Sequence, residues 1–84
     1  MLIAGNWKLN CNIKEAKDLS SSILNILRDK DLSSDVALFP PNIYIDTVKK
    51  IVNNSNIFVG AQDCSIHISG AYTGDVSAQM LNDM

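Results

Sequence analysis

The residues best suited to chemistry in this sequence are an asparagine and a lysine two positions apart, in Gly5-Asn6-Trp7-Lys8-Leu9-Asn10. A lysine ammonium is a compact positive charge with three donors, apt for a phosphate, and an asparagine amide offers both a donor and an acceptor to a small polar ligand. The hexapeptide directly follows the apolar run Met1-Leu2-Ile3-Ala4. Asn6 and Lys8 are therefore expected at the carboxyl end of a strand, where parallel α/β architectures place their active sites. A surface lysine beside a turn asparagine has the same local sequence, so the pair needs support from elsewhere in the chain.

Other candidates are few. His67 is the single histidine and lies in a long polar loop, where a partly exposed side chain is expected. Cys64-Ser65-Ile66-His67 brings two metal-ligating residue types together, but two ligands fall short of the four that a structural zinc needs, and no metal site is expected. Glu15, Asp18, Asp29 and Asp46 fall on helical segments facing away from the strand ends, as a solvated face does, and supply no positioned base.

Positioning Asn6 and Lys8 requires a scaffold, and the apolar pattern supplies one. Met1 to Ala4 reads as a buried strand running into the Gly5-Asn6 turn. Asn12, with Glu15 three residues on, reads as an N-cap, and Ile13, Ala16, Leu19, Ile23 and Leu27 recur at helical spacing to about Arg28. Val36-Ala37-Leu38-Phe39 is a second strand, closed by Pro40-Pro41. From Asn42, the residues Ile45, Val48, Ile51 and Val52 share a helical face, Lys49-Lys50 occupy its last turn, and Asn53 to Asn56 end it. Ile57 to Ala61 is a third strand. A long loop from Gln62 to about Asp75 follows, and Ser77 caps a last helix containing Met80 and Leu81. Alternation of this kind predicts an α/β fold with a parallel sheet and right-handed crossovers.

The 84 residues suffice for one small domain, with 46% hydrophobic and 19% charged residues, the usage of an ordinary globular chain. A net charge of −2 gives no broad field for nucleic acid or an acidic membrane surface, so neither partner is expected. No apolar run approaches the ~20 residues of a bilayer span. Cys11 and Cys64 are the only cysteines, and the first residues lack the basic stretch and long apolar run of a secretory signal. A reduced, cytoplasmic setting is expected.

Four ordered segments carry a family resemblance: Gly5 to Asn10 after the first strand, Phe39-Pro40-Pro41 after the second, Val59-Gly60-Ala61-Gln62-Asp63-Cys64 at the third, and Gly70-Ala71-Tyr72-Thr73-Gly74-Asp75-Val76-Ser77 leading into the last helix. In order and spacing they resemble the opening third of a triosephosphate isomerase. The resemblance implies a βαβαβ(α) fragment of a TIM (β/α)8 barrel over residues 1–84, its first three strand-helix units, with the barrel not closed. Asn6 and Lys8 match the family's substrate-binding asparagine and lysine, the lysine neutralising the phosphate of a triose phosphate. Gln62, Thr73 and Asp75 match residues at the interface of the family's homodimer, where the loop around Thr73 enters a pocket of the neighbouring subunit. Three positions differ from the usual pattern: Asp63 replaces an asparagine, Asp75 a glutamate and Cys11 a glycine. No cofactor is implied.

The family interconverts dihydroxyacetone phosphate and glyceraldehyde 3-phosphate through an enediol, in glycolysis and gluconeogenesis, using a histidine electrophile and a glutamate base under a lid. Their matching segments would follow Met84, so these residues alone are expected to be inactive. Three strands also cannot close a barrel that takes eight, and the sheet face away from the helices is expected to meet water beside two open edges. The alternatives are a split enzyme needing a complementary chain with the later strands, or a small non-catalytic α/β binding module that keeps the Lys8 site or the dimer loop.

Overall fold

A computed structural model describes all 84 residues. Its elements run β1 (Leu2–Asn6), α1 (Ile13–Leu27), β2 (Asp35–Phe39), α2 (Ile45–Ile51, entered through a 3-10 turn at Asn42–Tyr44), β3 (Ile57–Val59) and α3 (Ala78–Asp83). The sheet is parallel in the order β1-β2-β3, with Leu2 opposite Asp35 and Val36 opposite Ile57. β2 alone is paired on both sides. This is the open α/β arrangement that the alternating pattern predicts.

Local chemistry accounts for most of the boundaries. Asn12 Oδ1 accepts from the Glu15 N–H at 2.8 Å and Ser77 Oγ from the Met80 N–H at 3.1 Å, capping α1 and α3. Ser20, the polar residue on the buried stripe of α1, satisfies its hydroxyl by donating to the Ala16 carbonyl at 2.5 Å. β2 ends at Phe39 against Pro40-Pro41, as expected. The third strand stops at Val59, two residues before its apolar run does. Gly60 still donates to the Leu38 carbonyl at 2.9 Å, but Pro40, the next β2 residue due to donate across, has no N–H.

Residues opposite one another in a parallel sheet share a face. Gly5, Leu38 and Val59 lie on the side of the helices, where Trp7, Ala16, Leu38 and Val48 form the core and Ile23, Tyr44, Ile57 and Val59 pack around it. Ala4, Ala37 and Phe58 lie on the other side, and there Phe58 is 59% exposed. The first strand also departs from expectation. It extends to Asn6, because Gly5 and Asn6 continue the ladder opposite Leu38 and Phe39, and it is not buried: Leu2 and Ile3 are both exposed, since β1 has a neighbour on one side only.

Candidate functional site

The site is built on the last rung of β1. The Trp7 N–H donates to the Phe39 carbonyl at 3.1 Å, and the indole is buried in the core against the helices. With Trp7 held inward, the polar residues on either side of it stay exposed at the carboxyl ends of the strands. Asn6 Oδ1 accepts from the Lys8 N–H at 2.9 Å, and Asn10 Nδ2 donates to the Trp7 carbonyl at 2.7 Å, so the loop is closed by its own amides. Lys8 takes φ 58° and Cys11 φ 81°, left-handed conformations that cost a residue with a Cβ roughly 1–2 kcal/mol each. Cys11 stands where the family resemblance leads one to expect glycine, which has no such cost.

Gln62 joins this loop to the rest of the sheet. Its Nε2 donates to the carbonyls of Lys8, at 3.0 Å, and Phe39, at 2.9 Å. The Phe39 oxygen thus accepts from both Trp7 and Gln62, and the segments that follow all three strands meet at one point. Thr73 and Asp75 are not part of this cluster. They lie on an exposed turn closed by the Asp75 N–H donating to the Tyr72 carbonyl at 3.1 Å, and no hydrogen bond links either to Asn6, Lys8 or Gln62. That loop is pinned at its base, where Ser65 N–H donates to the Val76 carbonyl at 2.8 Å, and within it His67 stacks on Tyr72, ring centres 3.8 Å apart and 2° from parallel.

Electrostatically the site consists of one exposed, unpaired ammonium. The two ion pairs of the chain lie elsewhere, Lys14 with Asp18 at 2.6 Å and Asp46 with Lys50 at 2.7 Å, each one turn apart on an exposed helix face. The hydrogen bond and charge of Asp18 hold the Lys14 ammonium above its usual range. Glu15, Asp18 and Asp46 therefore stand where the pattern puts them, whereas Asp29 lies past the end of α1. Asp63 is exposed, so its carboxylate needs no buried partner. No three residues among His, Cys, Asp and Glu come together as a metal site would require. A cavity of about 510 Å³, lined by Leu27, Arg28, Asp35, Asn54 and Phe58 among others, lies at the opposite ends of the strands and includes none of the expected site residues.

Chemically, Lys8 offers a cation, and Asn6, its Oδ1 already engaged, offers its Nδ2 as a donor; no imidazole or carboxylate is hydrogen-bonded to either. Sequence reasoning finds these two residues but not what fixes them. The one available signal for Trp7 is that the sole tryptophan sits between two polar side chains at a strand end. Nothing local marks Gln62 as the link to Lys8, 54 positions away.

The family model for triosephosphate isomerase matches residues 1–84. A triosephosphate isomerase of Lawsonia intracellularis (strain PHE/MN1-00) is 43% identical over 84 residues, all of this chain and 33% of that protein. One from Nocardia farcinica (strain IFM 10152) is 47% identical over 83 residues, 95% of this chain and 32% of its own length. One from Hahella chejuensis (strain KCTC 2396) is 46% identical over 84 residues, 99% of this chain and 33% of its own. The chain spans about a third of the length of the curated relatives it matches.

Proposed function

The chain belongs to the triosephosphate isomerase family, and from that premise we propose that it forms the substrate-anchoring part of an isomerase that interconverts dihydroxyacetone phosphate and glyceraldehyde 3-phosphate. The observation that carries this reading is the loop after β1, where Asn6 and Lys8 stay exposed at the carboxyl ends of the strands while Trp7 locks the backbone between them into the core. Lys8 neutralises the substrate phosphate and steadies the negative charge that develops on the triose as the enediol forms. Asn6 orients the substrate through Nδ2.

The proton transfers fall to groups outside these 84 residues. His67 is held in a stack on Tyr72, and Glu15, Asp18 and Asp46 lie on exposed helix surfaces, so none is placed to act as base or electrophile. Thr73 and Asp75, exposed on their turn, belong to a subunit interface in this reading, and the open face at Phe58 is covered by later strands. A positioned general base alone contributes ~10²–10⁴ in rate. The purified chain is accordingly expected to show no isomerase turnover, and to gain it when a complementary fragment carrying the later strands is added. Lys8→Met should abolish the regained activity. Turnover by the 84 residues alone, or complementation indifferent to Lys8→Met, overturns the proposal.

A further inference from the structure

We infer that Gln62 is a positioning residue for the anion site, its amide clamping Lys8 in the left-handed backbone conformation from which the ammonium meets the phosphate; the inference rests on the reading of Lys8 above. Left-handed φ is found for only a few per cent of residues other than glycine, and lysine is not among those enriched there. At φ 58° Lys8 therefore needs external support. The supports are two side chains, one on each side of the residue: Asn6 Oδ1 accepts from its N–H and Gln62 Nε2 donates to its carbonyl. Asn6 is local and would suit many turns. Gln62 is not local, and its second N–H is anchored on the Phe39 carbonyl at the end of the doubly paired strand β2.

The chemistry of the clamp is specific to a primary amide. Two carbonyl oxygens converge on one nitrogen, which must supply two N–H groups, and the side chains that match glutamine in size cannot do so. A glutamate would set a carboxylate against both carbonyls, and a methionine would fill the space without donating. With either, the Lys8 carbonyl loses its partner and the backbone is free to leave the left-handed region.

The test uses the 15N-labelled chain and its Gln62→Glu, Gln62→Met and Lys8→Met variants, with far-UV circular dichroism as the check on folding. Two quantities are read: the three-bond HN–Hα coupling of residue 8, which reports its φ, and the shift changes on titration with dihydroxyacetone phosphate. Both Gln62 variants are expected to move the coupling away from its wild-type value and to weaken the titration roughly tenfold, as loss of one well-aligned charge-assisted hydrogen bond would. Lys8→Met should lose the titration and keep the fold. Unchanged coupling and affinity in Gln62→Met overturn the clamp while leaving the Lys8 reading intact. A wild-type chain that ignores the ligand, with a coupling that still depends on Gln62, overturns the Lys8 reading and supports the clamp. If the Gln62 variants unfold, Lys8→Gly is added to Gln62→Met. Glycine tolerates the left-handed conformation unaided, so recovery of the fold supports the clamp and continued unfolding overturns it.

Discussion

Replacing Trp7 by alanine is expected to unfold most of the chain. Trp7 is 8% exposed in the core. A side chain of this kind buries ~150–250 Å², which at about 25 cal/mol per Å² corresponds to ~4–6 kcal/mol. Unfolded chains already hide part of that surface, so ~3–4 kcal/mol is the better figure, and it lies within the ~3–5 kcal/mol usual for loss of a core aromatic. Only ten residues are buried in this chain, seven of them core hydrophobics, which puts its stability at the lower end of the normal range. That end is ~0.05 kcal/mol per residue, or about 4 kcal/mol for a chain of this length. The substitution therefore removes nearly all of it. Urea titration followed by far-UV circular dichroism measures the loss, with Trp7→Phe as a milder control that keeps most of the buried ring. A Trp7→Ala chain whose extrapolated stability stays within about 1 kcal/mol of wild type would refute the claim that this indole anchors the site loop.

Two further outcomes follow from the geometry. Asp18 raises the Lys14 pKa above its ordinary value, so the pair stabilises the fold below the unfolded lysine pKa of ~10.4 and loses that contribution as pH rises through the folded value. Asp18→Asn should bring the Lys14 titration back toward normal in an NMR pH series, and the small difference in melting temperature from wild type should vanish at strongly alkaline pH; a difference that persists there contradicts the assignment. Gly70 has φ 130°, and a Cβ placed on it would lie 2.8 Å from Tyr72 Cε2. Gly70→Ala should cost ~1–3 kcal/mol locally and break the His67–Tyr72 stack, seen as loss of ring-current shifts on His67, while far-UV dichroism stays unchanged.

The elements of this fold are local, and so were largely readable. Asn12 and Ser77 announce their helices because a cap is a bond between residues three apart, and Pro40-Pro41 ends β2 by covalent structure alone. The family resemblance likewise rests on short segments. Burial was less legible, since it depends on what stands beside a strand: Leu2 and Ile3 have the composition of a core strand and are exposed because β1 is an edge. The end of β3 is illegible for a related reason, its limit being set by a missing N–H on another strand. At the site, Asn6 and Lys8 could be named from their chemistry and place in the chain. The left-handed turn at Lys8 and the hold of Gln62 on it could not, because they arise from loops that meet only after the sheet has formed.

The order of strands in the sheet repeats their order in the chain, and this has a kinetic meaning. Each pairing closes a single crossover, through α1 for Leu2 with Asp35 and through α2 for Val36 with Ile57, and β1 does not pair with β3. Neither crossover yields a sheet without β2, so a nucleus of β2 with at least one helix is expected, the second flank adding afterwards from either side. The two loops to be closed are of moderate length, and their closure entropy grows only slowly with chain length. This topology predicts growth from the middle outward, with the Lys8 loop reaching its final shape last, once β1 and the segment after β3 have both arrived on β2.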